Sequence, residues 1–446
     1  MTVGTGAPGP RGTARFGTFD AERLWRPASL TRLPSLAGAE AHAVVAGLDE
    51  TLAAACRPDD LLVTRGALAP AQIDALGAAG LTFRSVAVGP VVVGPAAAGD
   101  TVSTVEEAIA EDPALGRALA TAADIRPYAV LPATTELLRH HPDQAAALPH
   151  PTVVQQVNGK AWSSERAAAL ELPGAGIVVR SAEELAAAVG RWDGTVLVKD
   201  PYGVAGRGTA EVAGPGALRR LVRRLQAQED EGLRTELVVQ RRYERALDFS
   251  AHLEIRRDGT WSLRGLQGMT NGGYRHAVSH PVPPDLPAAL DRRGYPAVLE
   301  QVARALAAAG YFGPAGIDSM LLADGGWVPV LEINARMSMG LLTLELDERV
   351  RAHDLRAHLW QQDMFVEHGI DVTALLSALR AAGLLYGGGA RPGVLPLSGG
   401  SLCAPRGRLV CAAFCAPDDF PALRARTEHC AATVGISTTR VGVPAG

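Results

Sequence analysis

The sequence predicts an α/β protein of more than one domain. Short apolar runs bounded by Gly, Pro and Asp alternate with Ala- and Leu-rich helical patterns through about residue 150. Past that point the pattern changes to strand pairs joined by glycine-rich turns and followed by helices. The chain has 446 residues, 47% apolar and 20% charged, enough for two or three packed cores, and neither fibrous nor disordered in composition. A net charge of -4 leaves no global basic field, so nucleic acid is not an expected partner. Pro and Gly interrupt the richest apolar stretches, such as VAVGPVVVGPAAAG, before they reach the roughly 18 residues a spanning helix needs, so no membrane partner is expected.

In chain order, residues 1–20 read as a mobile leader rich in Gly, Pro and Thr with no apolar signal core, which makes a cytoplasmic location the expectation. Residues 21–151 read as an open α/β domain in which AHAVVAGL and DDLLVTRG supply apolar runs between helices. From Thr152 a helix over Ser163–Leu172, a strand over Gly176–Arg180 and a helix over Ala182–Val189 follow, the last opened by Ser181 with Glu184 three residues on. VLVKDPYGVAGRGTAEV then reads as two strands around a glycine loop, followed by a helix over Ala217–Ala227 and the strand LVVQRRY. Strands Phe249–Ile255 and Trp261–Gln267, a helix over Pro296–Gly310 and a hairpin, GIDSMLLADGGWVPVLEINAR, complete this body at about residue 386. Residues 387–446 read as a small module: a turn at GGGARPG, a hairpin and a helix over Phe420–Ala432. Five cysteines fit no zinc spacing and read as reduced thiols packed as small hydrophobes.

Lysine occurs only at Lys160 and Lys199; every other basic residue is Arg. A Lys retained in such a composition points to a place where a compact ammonium suits and a planar guanidinium does not. Lys199 ends the first strand of the glycine motif, and Gly203, Gly206 and Gly208 allow backbone amides to approach phosphate oxygens closely. In the later hairpin, a loop at Asp324–Gly326 sets Asp318 opposite Glu332, with Asn334 on the same face. Two opposed carboxylates repel unless a cation lies between them, and this partial oxygen set suits Mg2+ carried in with a nucleotide's phosphates. Pro329 inside the second strand places that position on an edge or a bulge.

These two motifs together resemble the ATP-grasp superfamily over about residues 152–386: VLVKDPYGVAGRG is similar to its strand, lysine and flexible glycine loop, and the GIDSMLLADGGWVPVLEINAR hairpin to its metal-binding strands. The resemblance implies an α+β ATP-grasp body of two subdomains, the ATP lid at about 176–240, preceded by a pre-ATP-grasp domain. Lys160 and Lys199 would hold the ATP phosphates, the glycine loop would cover them, and Asp318, Glu332 and Asn334 would bind Mg2+, with Mn2+ able to stand in. Gln240, Arg241, Arg242 and Tyr243 would form the adenine edge and Asp248 would take the ribose, although the family more often has Glu at both Gln240 and Asp248. Arg336 would stabilise an acyl phosphate or bind a carboxylate. Some relatives carry an Arg where this chain has Gly316, so oxyanion stabilisation would fall to another group such as Arg336. Asn271, Tyr274, Arg275 and His276 would lie on the substrate side.

The chemistry so implied is ATP-dependent ligation of EC 6.3 type, in which a carboxylate takes the γ-phosphoryl group and an amine then displaces phosphate. Among such ligases the domain order looks most like the pheganomycin-type peptide ligases of antibiotic biosynthesis, which implies small-molecule or peptide substrates, an amidino-bearing phenylglycine-type acid among them. A homodimer is expected by the same analogy. Two other readings use the same residues: a ligase that loads an amino acid onto a carrier protein, and a non-catalytic ATP-binding module, which the complete residue set disfavours. The absence of a third lysine leaves no carrier lysine for biotin chemistry.

Overall fold

The computed structural model describes residues 11–34, 40–89, 104–203 and 208–438. They fall into two compact units, one within Met1–Phe19, Ala39–Leu148 and Glu345–Gly446 and the other within Asp20–Gly38 and Pro149–Leu344. The first unit opens with a parallel sheet of β1 (Arg11–Phe16), β2 (Leu61–Thr64), β3 (Arg84–Ala87) and β4 (Ala122–Pro127) in the order β3-β2-β1-β4. Ala14, Phe16, Leu61, Val63 and Ile125 from these strands pack with Val105, Ile109 and Leu119 from the helices Val105–Glu111 and Pro113–Ala120. Two expectations are corrected here. Part of the supposed leader is an interior strand, because Ala14 and Phe16 alternate with polar neighbours and are fully buried. The AHAVVAGL run is not a strand but joins the helix Glu40–Ala46 and the 3-10 turns Gly47–Ala55.

The second unit begins with a short helix, α1 (Ala21–Trp25), and resumes at Pro149. After α2 (Lys160–Ala169), the strands β5 (Ile177–Val179), β6 (Val196–Lys199), β7 (Thr209–Val212) and β8 (Leu237–Arg241) form an antiparallel sheet in the order β5-β8-β6-β7. Its alternating Val and Leu residues pack under the helices Ala182–Val189 and Pro215–Asp230, through Leu185, Leu221 and Leu225. The first of these helices starts as the sequence predicts, with Ser181 Oγ accepting from the Glu184 amide at 3.0 Å.

A second antiparallel set comprises β9 (Arg245–Ile255), β10 (Trp261–Gly272), β11 (Arg275–His280), β12 (Gly313–Leu322) and β13 (Trp327–Asn334), ordered β13-β12-β9-β10-β11. Asp318 pairs with Glu332, as the hairpin reading requires, but by a different route. The turn tip lies one residue early, closed by the Leu322 amide on the Gly326 carbonyl at 2.9 Å. A bulge then restores the pairing: β13 runs from Val328 to Glu332 while β12 runs from Asp318 to Met320. Pro329 sits inside this bulge on a terminal strand, where its missing N–H costs no ladder bond. Ser319 Oγ stitches the bulge by donating to the Pro329 carbonyl at 2.7 Å, and the buried Tyr295 hydroxyl lies 2.7 Å from the same Oγ.

A third helix, α3 (Met339–Val350), leads out of this unit at Leu344. The remaining strands, β14 (Arg356–Val366), β15 (Gly393–Pro396), β16 (Arg406–Cys415) and β17 (Ile436–Ser437), belong to the first unit. β16 lies between β15 and β14, and β17 pairs with β14. The segment from 387 is therefore not a separate module. Its hairpin pairs with β14, and its Gly399 and Gly400 amides donate to the buried Glu50 carboxylate at 2.6 and 3.0 Å, which Gln72 Nε2 also reaches at 2.9 Å. The cysteines are all free, and only Cys403 is more than slightly exposed.

Candidate functional site

The two lysines meet the acidic hairpin within the second unit. Lys160 is the first residue of α2, whose leading amide is satisfied by the Pro201 carbonyl at 2.9 Å. Its Nζ donates to Glu332 Oε1 at 2.5 Å and to the Gly203 carbonyl at 2.7 Å. Lys199, at the end of β6, donates to Gln240 Oε1 at 2.7 Å, and Gln240 is in turn held by its Nε2 on the Gly174 carbonyl at 2.8 Å. Beside β6 the Asp200 amide closes the base of the glycine loop on the Gly208 carbonyl at 2.7 Å. Gly208 has φ +81, and a Cβ there would come within 3.0 Å of Asp200 Cβ, so both backbone and space select glycine. Gly206 lies outside the described residues.

Pairing places Asp318 opposite both Glu332 and Ser250, and Gly316 opposite both Asn334 and His252. By strand alternation these residues share one face of the sheet. Asn334 Nδ2 donates to Asp318 Oδ2 at 3.1 Å, and Arg336 Nη2 to Asn334 Oδ1 at 3.3 Å. Electrostatics follow from burial and sign. Burial, with the Glu332 charge adding, pushes the Asp318 carboxyl up to about 7. Burial acts the same way on Glu332, but the Lys160 charge and hydrogen bond, joined by the Lys199 and Arg336 charges, outweigh it and hold that carboxyl below its ordinary value. Burial lowers the Lys199 ammonium to about 8. The Glu332 carboxylate, an Asp318 carboxyl whose value is raised to about 7 and two lysines thus stand in a poorly solvated cluster that favours an incoming anion.

The remaining expected residues fall in three places. Asp248 Oδ2 accepts from Arg245 Nη1 at 2.9 Å and Asn271 Nδ2 at 2.8 Å, two residues before Ser250 on β9. Arg241, Arg242 and Tyr243 follow Gln240 at the end of β8; the Arg242 amide bonds the Thr195 carbonyl at 3.2 Å, and Arg241 stacks over the Tyr243 ring at 6.0 Å. The four substrate-side residues do not converge: Asn271 turns to Asp248, the Tyr274 hydroxyl donates to Glu211, His276 lies 2.8 Å from Ser279 Oγ, and Arg275 is exposed.

Sequence reading missed four residues here. Glu22 takes Arg336 Nε at 2.8 Å and is also bonded by its Nη2; Arg26 binds Asp200; and His252, lowered to about 3 by burial and so neutral, sits 2.9 Å from Ser250 Oγ with its Nδ1 unpartnered among the described residues. The Glu22–Arg336 and Arg26–Asp200 pairings join residues 314 and 174 positions apart, with no local spacing to announce them, whereas Ser250 and His252 are two apart on β9. Among the described residues no three His, Cys, Asp or Glu side chains gather as a cation cage, and the donor set is two carboxylates and an amide. That partial set is the kind Mg2+ uses when phosphate oxygens and water complete its shell.

No family model and no curated protein matches the chain. Solved structures do. An ADP complex of an N5-carboxyaminoimidazole ribonucleotide synthetase is 10% identical with a TM-score of 0.54, covering 96% of this chain and 98% of its own. The biotin carboxylase domain dimer of the Hydrogenobacter thermophilus 2-oxoglutarate carboxylase, with MgADP, ADP and bicarbonate, is 13% identical with a TM-score of 0.53, covering 96% and 90%. The Staphylococcus aureus N5-carboxyaminoimidazole synthetase with ADP is 10% identical with a TM-score of 0.53, covering 95% and 97%. With both sheets and the acid hairpin in place, the chain has the ATP-grasp fold.

Proposed function

We propose that the protein is an ATP-dependent ligase that joins a carboxylate to an amine, releasing ADP and phosphate. The observation that carries this reading is the meeting of the chain's two lysines with Asp318, Glu332 and Asn334: Lys160 bridges the glycine loop and Glu332, and Lys199 stands at the loop's base. The similar structures solved with ADP support the nucleotide. In this reading Lys160 and Lys199 draw the β- and γ-phosphates, with Glu332 aiming Lys160. Gly203, Gly206 and Gly208 cover the phosphates, Gln240 to Tyr243 border the adenine, and Asp248 meets the ribose. Mg2+, held by Asp318, Glu332 and Asn334, would add positive charge against the phosphate oxygens.

The substrate carboxylate oxygen attacks the γ-phosphorus, the bond to the ADP oxygen breaks, and an acyl phosphate forms. An amine then attacks the acyl carbon, phosphate departs with the bonding electrons, and the ammonium proton passes to solvent, leaving an amide. Arg336, held by Glu22, the Met337 carbonyl and Asn334, would set its positive charge beside the charge that gathers on the acyl phosphate. Within this class we assign peptide-bond formation in natural-product biosynthesis, with amino acids or short peptides as substrates, and a homodimer as the assembly.

The test is release of phosphate from Mg·ATP by the purified protein against pooled amino acids and short peptides, with nucleotide products resolved. ADP and phosphate should appear only when a particular acid and amine are both present, and Lys199→Ala should lower the rate at least about a hundredfold. AMP and pyrophosphate would overturn the acyl-phosphate route. Tight ATP binding with no turnover in any pool would favour a carrier-protein acceptor or a binding module.

A further inference from the structure

Helix α1 carries two opposite charges one turn apart, Glu22 and Arg26 at its C-terminal cap, a spacing at which they could pair with each other. They do not. Glu22 is spent on Arg336, and Arg26 reaches Asp200, the residue after Lys199. Arg26 donates Nε at 3.1 Å and Nη2 at 3.0 Å to Asp200 Oδ2, and its other donors take the carbonyls of Pro27, Leu30 and Thr31. Only 13% of the Arg26 side chain and 8% of that of Asp200 are exposed. A guanidinium with its donors so spent has one orientation, and it transmits that orientation to its partner.

Asp200 is the pivot of the turn that joins the two lysines. Its Oδ1 accepts from the Tyr202 amide at 2.9 Å, its carbonyl from the Gly203 amide at 3.1 Å, and its own amide donates to Gly208. The next carbonyl, Pro201, receives the Lys160 amide, and the Gly203 carbonyl receives Lys160 Nζ. The position of Asp200 therefore sets Lys199 through the chain and Lys160 through two hydrogen bonds.

We propose that Arg26 is a positioning residue for the phosphate end of the nucleotide site, acting through Asp200 on the Lys199–Gly203 turn; the inference rests on the ligase reading above. Loss of Arg26 leaves the Asp200 carboxylate buried with only a backbone donor, so the turn must rotate toward solvent and take both ammonium groups with it. Displacement of about 1 Å is enough to weaken a fitted anion site. The adenine border at the end of β8 meets this turn through the Lys199–Gln240 hydrogen bond, but its backbone is held in the sheet by pairing with β6 and β5 and keeps its place.

Ligand-observed NMR on the full chain, titrated with Mg·ATP, Mg·ADP and adenosine, tests this. Arg26→Ala and Asp200→Asn should each weaken Mg·ATP and Mg·ADP about tenfold and leave adenosine unchanged, and the double variant should be no weaker than either single one. Arg26→Lys should recover part of the loss. Circular dichroism of each variant identifies any that has not folded, and Arg26→Lys then carries the comparison. Phosphate-bearing ligands bound as tightly as by the unmodified protein, or adenosine weakened equally, would sink the inference alone. An unmodified protein that binds no Mg·ATP would remove the ligase reading and this inference with it.

Discussion

At the scale of single residues, the site is held by charges that answer one another across long stretches of chain. Arg336 and Glu22 are separated by 314 positions, and their side chains are only 9% and 7% exposed. Removing one partner of a buried ion pair leaves the other charge uncompensated, which costs far more than replacing both. Glu22→Ala should therefore lower unfolding stability by about 3–5 kcal/mol, read from urea denaturation, whereas Arg23→Ala next to it, whose side chain is half exposed, should change it by less than about 1 kcal/mol. Equal effects would show that Glu22 does not hold Arg336. The same separation explains what sequence reading could not reach. Lys160, Lys199, Asp318, Glu332 and Asn334 stand out by rarity or by alternation along a strand, but nothing near Glu22 or Arg26 foretells a partner 314 or 174 residues away.

At the scale of elements, local grammar was legible where it was strong. The helices Ala182–Val189 and Phe420–Ala432 carry the bounds that their caps and periodicity predict. β1 was not, because RGTARF offers only two buried side chains and its strand character comes from parallel partners at Leu61 and Ala122. The acid hairpin lies between these cases. Its key pair was legible, yet an early turn tip and a bulge offset one another, and no propensity rule reveals such a bulge beyond the proline that marks it. Ser319 is the fastener, with Tyr295 on one side and the Pro329 carbonyl on the other. Ser319→Ala leaves two buried polar groups short of a partner and should cost about 1–3 kcal/mol. It should also lower Mg2+ affinity in the presence of ADP, because Glu332 shifts against Asp318; calorimetry showing unaltered affinity would mean the bulge does not govern the pair.

Across the whole molecule, the first unit has its own titration. Asp49 is buried, accepts the Arg65 amide at 2.6 Å on Oδ2, and is raised by burial to about 7; burial also raises Glu50 and Glu106. A carboxyl whose folded value is raised from 3.8 keeps the folded state protonated when the unfolded chain is not. Its contribution to stability is fully present below about pH 4 and is lost as pH rises through about 7. Asp49→Asn should lie closest to the unmodified protein in thermal midpoint below about pH 4 and exceed it at pH 9. A constant difference between the two at both pH values would show that Asp49 does not ionise in that window.

The path of the chain sets an order in time as well as a place in space. The second unit owns residues up to Leu344 and has all of its strands once that residue has been made. In the first unit β1 precedes the strands β14 to β17 by more than 300 residues. Until that later stretch is made Glu50 lacks the amides of Gly399 and Gly400, made some 350 residues later. On a ribosome adding roughly 5–20 residues each second, that wait lasts tens of seconds. The unit that holds both lysines can fold first, while Glu50 has only Gln72 for a partner until Gly399 and Gly400 are made.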